Sequence, residues 1–89
     1  MNNKHVNIFK ALADKTRLDI VRKLAKSKEP ISGCDIVSDC SALSQPAMSH
    51  HFTKLVDAGV ITEHKKGTEK MYELNHELFA EIGINPSKL

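Results

Sequence analysis

The sequence is poor in cysteine and has no long apolar run. Two cysteines in 89 residues are too few for the disulfide framework of a small secreted domain. No apolar run approaches the roughly 18 residues of a membrane span. Residues 1–10 also lack the apolar stretch of a signal peptide. These absences predict a soluble, cytoplasmic protein that has no membrane partner.

The sequence also lacks the motifs of common catalytic sites. It has no glycine-rich phosphate loop, no nucleophile elbow and no His-Glu-x-x-His spacing. With 40% hydrophobic and 27% charged residues, the chain has the composition of one small globular domain, covering residues 1–89. A domain of this size has a marginal core of its own, so a second copy would help to stabilise it. We therefore expect a protein that is not an enzyme and that forms a dimer.

Positive charge is concentrated in the first third of the chain. Residues 1–30 contain eight lysines and arginines against three acidic residues, although the net charge of the whole chain is only +2. Two interpretations stay open for this excess. The basic residues are either solvated helix faces or an electrostatic footprint for nucleic acid.

Apolar spacing predicts five helices, and polar residues mark where they begin. Val6 to Leu12 has helical periodicity, and Asp14, Ser32, Ser44 and Asn75 can each cap a following helix. A strand-like pattern separates the last two helices. It runs over Val60–Lys65 and Lys70–Leu74, with a turn at residues 66–68.

The fourth helix is the best-marked element, because Pro46 suits a first turn and Gly59 supplies a stop. Its buried stripe is predicted to be Met48, Phe52, Leu55 and Val56. The opposite face is polar and mostly uncharged, which suits hydrogen bonding to base edges. The predicted fold is mainly helical with a small hairpin, in the order α-α-α-α-β-β-α. This is a winged helix-turn-helix, with the helix-turn-helix at about residues 31–58 and the wing at about 60–74.

Several strings in the chain resemble the ArsR/SmtB family of bacterial and archaeal winged-helix transcriptional regulators. They are Ala11–Leu18, Leu43–Phe52 and Asp57–Ile61, with Gly67, Tyr72 and Leu74 in the hairpin. Many relatives have proline where this chain has Lys15. The resemblance implies a homodimeric repressor that binds double-stranded operator DNA and releases it when a signal arrives.

The resemblance also implies which residues contact DNA. Base edges would be read by Gln45, Ala47, Ser49 and His50, with Ser44, Thr53 and Lys54 nearer the phosphates. The wing would use Lys65, Lys66, Thr68 and Lys70. Glutamine can pair with adenine, an alanine methyl can contact thymine, and lysine binds phosphate as a point charge.

Short apolar segments at the two ends of the chain are the predicted dimer surface. Val6 and Phe9 lie on the first helix, and Leu78, Phe79 and Ile82 lie on the last. Neither segment would be stable exposed on so small a monomer.

Cys34 is the one candidate sensor residue. Relatives that bind thiophilic metals have Cys-x-Cys-Asp at the third helix, whereas this chain has Ser32-Gly33-Cys34-Asp35. A single thiol makes a poor site for such metals, so we expect no metal and no cofactor, and a thiophilic metal at Cys34 stays open only as the disfavoured alternative. Cys40 is too far along a helix to join Cys34 in a disulfide, and its place in the apolar stripe predicts a buried thiol. Cys34 near a helix N-terminus stays open as a redox or thiol sensor, with an inert thiol as the alternative.

The histidines do not form a metal motif. Cross-subunit ligation by His5 is conceivable, but its spacing matches no metal site, and His76 has no second distal histidine beside it. Two other functions stay open beside a regulator. The same fold could be a protein-interaction module, or an architectural protein that binds DNA of any sequence.

Overall fold

The computed structural model describes residues 3–40 and 45–89, and the side chains of residues 39, 40 and 45 fall outside that description. Four helices come first, interrupted by a short strand: α1 (Asn3–Leu12), α2 (Lys15–Lys26), β1 (Ile31–Ser32), α3 (Gly33–Cys40) and α4 (Gln45–Asp57). The hairpin, called the wing below, and the last helices follow: β2 (Ile61–Lys66), β3 (Glu69–Leu74), α5 (His76–Ile82) and a 3-10 helix over Pro86–Lys88. The predicted mainly helical class with a small hairpin is confirmed.

Side-chain caps begin three of the helices, as the sequence predicts. Asp14 Oδ2 accepts a hydrogen bond from the Arg17 backbone N–H at 3.0 Å, and Asn75 Oδ1 accepts from the Leu78 N–H at 3.2 Å. Ser32 Oγ accepts from the Asp35 N–H at 3.2 Å. Each bond satisfies an amide that has no acceptor within its helix. The predicted cap Ser44 lies outside the described residues.

The sheet has one strand more than the predicted hairpin. β1 pairs antiparallel with the outer edge of β3, with Ile31 opposite Tyr72 and Ser32 opposite Met71, giving the order β1-β3-β2. Two residues are too short to show the alternation by which strands are recognised in a sequence. The pairing joins the start of α3 directly to the wing.

The core draws on every helix from α1 to α5. Side chains with almost no exposed surface include Ile8, Ile20, Ile36, Met48 and Leu55. The predicted stripe of the fourth helix is confirmed for Met48, Phe52 and Leu55, whereas Val56 is only partly buried.

Two residues of the predicted dimer surface lie in this core instead. Leu78 is 4% exposed and Phe79 is 1% exposed within a single subunit. Their side chains fill the space between α5 and the rest of the domain, so they are not free to meet a second copy. Their burial within one subunit speaks against a place on the dimer surface. An apolar helix face in a sequence does not reveal which surface covers it.

Candidate nucleic-acid interface

α4 presents a polar face to the outside because its apolar stripe is held in the core. Ser49, His50, Thr53 and Lys54 are all exposed, and Ala47 is half-buried. The backbone of Gln45 begins the helix, but its side chain and all of Ser44 lie outside the described residues. The turn after α4 contains Gly59 at φ +79°, a conformation that glycine adopts without strain. The exposed face is thus a row of hydroxyl, imidazole and ammonium groups on a rigid helix.

The wing is a tight hairpin with a basic tip. Its two strands are joined by Gly67 and Thr68, and Gly67 has φ +65°, as a two-residue hairpin turn requires. The predicted wing residues Lys65, Lys66, Thr68 and Lys70 are all exposed. Three ammonium groups therefore lie within a few residues of the turn.

A cleft of about 380 Å³ separates α4 from the wing and brings four of the predicted residues together. Ser49 and Thr53 line it from α4, while Thr68 and Lys70 line it from the wing. Hydroxyl donors and one cation thus face a common space. Such a set can bind phosphate or sugar oxygens.

Two acidic residues that are not among the predicted site residues also line this cleft. Glu63 and Glu69 lie on its wing side, and Glu63 Oε1 is 4.0 Å from Lys70 Nζ. The signal available in the sequence was the hairpin register, which places Glu63 opposite Tyr72 and Glu69 opposite Lys66. The wing therefore carries mixed charge rather than a uniformly positive surface.

Phe52 and Tyr72 join α4 to the wing beneath the cleft. Their rings stack with centroids 4.3 Å apart and planes inclined by 17°. Burial raises the pKa of the Tyr72 hydroxyl, and its hydrogen bond to Glu63 raises the pKa further. Gly33 lies against this pair, since a Cβ at that position would be 3.2 Å from Tyr72 Cε2. α3, α4 and β3 thus meet at one aromatic contact.

Exposed apolar side chains remain on α1. Val6 is 37% exposed and Phe9 is 44% exposed, and Ile82 of α5 is half-buried. These are the residues of the predicted dimer surface that a partner could still cover.

The described residues contain no cluster of three or more metal-binding side chains. Across 3–40 and 45–89, no group of three or more histidine, cysteine, aspartate or glutamate side chains lies close enough to hold an ion. Cys34 is exposed and lines the cleft beside α3, whereas the side chain of Cys40 is not among those described. One exposed thiol does not fit the thiolate pair of metal-binding relatives.

No helix in the described parts of the chain has both the length and the apolar character needed to cross a membrane.

Comparison with known proteins places this geometry in a family. A family model described as a helix-turn-helix domain matches residues 12–64. The arsenical resistance operon repressor of Staphylococcus xylosus is 38% identical over 78 residues, which are 88% of this chain and 72% of that protein.

Solved structures of other proteins have the same fold. The crystal structure of an ArsR family transcriptional regulator has a TM-score of 0.82 at 26% identity, covering 91% of this chain and 86% of its own. A homodimeric winged helix-turn-helix DNA-binding domain of Mycobacterium bovis, solved by NMR, has a TM-score of 0.76 at 22% identity. The match covers 91% of this chain and 76% of that domain. With a helix-turn-helix, a wing that has a basic tip and these relatives, the chain is a DNA-binding transcriptional regulator, not an enzyme, and it belongs to the ArsR family.

Proposed function

We propose that the protein is a homodimeric repressor that binds a palindromic operator near its own promoter and leaves it when a signal arrives. Two copies would place their α4 helices in successive major grooves, about 34 Å apart. The proposed site of action is the cytoplasm. No metal or cofactor is part of the proposal.

The single observation that carries the proposal is the cleft between α4 and the wing. Ser49 and Thr53 from the helix and Thr68 and Lys70 from the wing line one space. A helix that enters the major groove and a wing that reaches the flanking backbone would then contact one DNA segment together. The homodimeric assembly of the Mycobacterium bovis domain and the exposed Val6 and Phe9 support the dimer.

The test is fluorescence anisotropy with the duplex upstream of the gene and a scrambled duplex, each at two salt concentrations. A specific repressor binds the native duplex more tightly, and its affinity falls as salt rises. Equal affinity for both duplexes would indicate an architectural protein instead. Binding to neither would contradict the proposal and favour a protein-interaction module.

Three variants separate the contacts within this experiment. Lys66→Gln should weaken binding to both duplexes and lower the salt slope by about 1, because one phosphate contact is lost. Ser49→Ala should weaken the preference for the native duplex with little change in slope. Lys88→Gln, in the exposed 3-10 helix, is the matched control and should leave both quantities unchanged.

A release step at Cys34 is the second part of the proposal. Oxidation of this exposed thiol by hydrogen peroxide, giving a sulfenic acid and water, would place added bulk and polarity in the cleft that Ser49 and Lys70 also line. The Cys34→Ser variant tests it. If oxidant releases DNA from this variant as it does from the natural protein, Cys34 is not the sensor.

A further inference from the structure

Arg17 lies where α1, α2 and α4 meet, and its side chain binds the end of α1. Arg17 Nε donates to the Ala11 carbonyl at 2.6 Å, and Nη2 lies 3.5 Å from the Lys10 carbonyl. Both carbonyls belong to the last turn of α1, where carbonyl groups lack N–H donors within the helix and the helix dipole favours a cation. Arg17 thus fixes the end of α1 to the start of α2.

The same guanidinium also reaches α4. Arg17 Nη1 is 3.3 Å from His51 Nδ1, and the His51 side chain is only 15% exposed. Because a guanidinium has no acceptor, Nδ1 must accept this hydrogen bond. A neutral His51 ring then carries its proton on Nε2.

Asp14 completes the cluster. Its Oδ2 lies 3.8 Å from His51 Nδ1 and accepts the Arg17 backbone N–H. At 3.8 Å the carboxylate is beyond hydrogen-bond distance of His51, so the Arg17 contact defines the histidine's position. The negative charge of Asp14 also offsets the guanidinium in this half-buried corner.

We propose that Arg17 is a positioning residue for operator binding, acting through His51 and without touching DNA. Its planar fork joins α1, which carries the exposed Val6 and Phe9, to the helix that carries Ser49 and Thr53. In a dimer formed through α1, the hydrogen bonds of Arg17 to α1 and α4 would determine the separation of the two α4 helices. The inference rests on the proposed homodimeric repressor.

A competing role for Arg17 is that of an ordinary cation for phosphate. Together with Lys10 and Lys54 it lines a second cleft, of about 300 Å³, that also contains Asp57. The two roles differ in what they require. Phosphate binding needs only a positive charge. Positioning needs the planar guanidinium group, whose nitrogen atoms reach two carbonyl oxygens of α1 and His51 Nδ1 at the same time.

Arg17→Lys and Arg17→Gln separate these roles. We expect both variants to lose about tenfold or more in operator affinity, since either one loses the hydrogen bonds of the fork. The salt slope should stay that of the natural protein, because no phosphate contact is removed. Arg22→Gln, on the same helix, breaks the pair with Asp19 and is the matched control.

The phosphate role gives the opposite pattern. Arg17→Lys would then bind nearly as well as the natural protein, and Arg17→Gln would lower the salt slope by about 1. That result would overturn the positioning role. Sedimentation and thermal unfolding of each variant identify a temperature at which every protein is a folded dimer. Affinities are compared at that temperature.

His51 provides a readout that does not depend on the Arg17 variants folding. At a pH where the ring is neutral, ring nitrogen NMR of the natural protein should show the His51 proton on Nε2, and a neutral ring with its proton on Nδ1 would overturn the contact. His51→Asn, whose amide oxygen can take the place of Nδ1, should retain affinity that His51→Leu loses. Equal affinities for these two variants would also overturn the proposal.

Failure of this inference is distinguishable from failure of the proposed function. If the natural protein shows no preference for its operator, the repressor proposal is overturned and the positioning role with it. If the natural protein binds its operator and the Arg17 and His51 variants bind equally well, only the positioning role is overturned.

Discussion

Phe52 of α4 stacks on Tyr72 of the wing, with ring centroids 4.3 Å apart. Aromatic pairs in this arrangement contribute about 0.5–1.5 kcal/mol beyond the area they bury. The stack is a direct contact between the helix proposed to read DNA and the hairpin proposed to bind the DNA backbone. Their relative orientation is therefore fixed before DNA arrives.

Ionisation of Tyr72 should destabilise the fold at high pH. Burial and Glu63 raise its pKa above the usual 10, so its contribution to stability is complete below about pH 10 and is lost as pH rises further. Tyr72 is the single tyrosine in the chain, so tyrosinate absorbance reports on it alone. We expect tyrosinate to appear together with the loss of circular dichroism. A titration near pH 10 in a protein that keeps its native spectrum would contradict the buried hydroxyl.

Gly33→Ala should destabilise the protein although alanine favours helices. The new Cβ would be 3.2 Å from Tyr72 Cε2 and 3.8 Å from Phe52 Cε2. Overpacking of this kind costs about 1–3 kcal/mol, more than the gain of up to about 1 kcal/mol in helix propensity. Urea unfolding measures the net loss, which we expect to be about 1 kcal/mol.

The control for that prediction is the same substitution in a Tyr72→Leu background. There the ring atom is missing, and Gly33→Ala should be neutral or stabilising. An equal loss in both backgrounds would show that the tyrosine ring is not the cause.

Asp14→Ala should destabilise the protein by about 1 kcal/mol at neutral pH, since the cap of α2 is lost. The hydrogen bond from the Arg17 backbone lowers the Asp14 pKa below its usual 3.8. Its ionised form therefore stabilises the fold above about pH 4, and this contribution is lost as pH falls through the lowered pKa. Thermal unfolding between about pH 2 and pH 6 measures this effect.

Asp14→Asn is the matched control for the charge. Asparagine is a good cap, so this variant should be nearly as stable as the natural protein at neutral pH. It should lose less stability on acidification. If both proteins lose equal stability as pH falls, ionisation of Asp14 does not contribute to the loss of stability at acidic pH.

Phe9→Asp should convert the proposed dimer to a monomer that is still folded. Phe9 is 44% exposed in the subunit, so a carboxylate there is solvated in the monomer but would be buried in the dimer. Sedimentation measures whether the protein is a dimer or a monomer. Asn3→Asp, on the same helix, is the control and should remain a dimer. A Phe9→Asp protein that still sediments as a dimer would place the interface elsewhere.

Local signals made most of the fold predictable. Asp14, Ser32 and Asn75 were predicted as caps because a short polar side chain before an apolar stripe satisfies free amides at a helix start. Gly67 marked the hairpin turn, because it sits between two strand-like segments and adopts a positive φ. Each of these features depends on residues a few positions apart.

Features that depend on distant residues were not predictable in this way. β1 exists because β3 offers it an edge, and Ile31–Ser32 carry no pattern of their own. Phe79 was assigned to the dimer surface because periodicity gives the apolar face of α5 but not its partner. In the sequence Arg17 is only one of the eight basic residues of the first third of the chain, whereas its contact with His51 spans 34 positions.

The pairing of Ile31 with Tyr72 also has a consequence for folding. It closes the segment containing α3 and α4 into a loop whose two ends are held side by side in the sheet. Contacts between distant residues form late, because the chain must first lose the entropy of closing the loop. The helix-turn-helix and the wing should accordingly unfold as one cooperative unit. Amide hydrogens of β1 and β3 would then exchange through the same opening as those of α4.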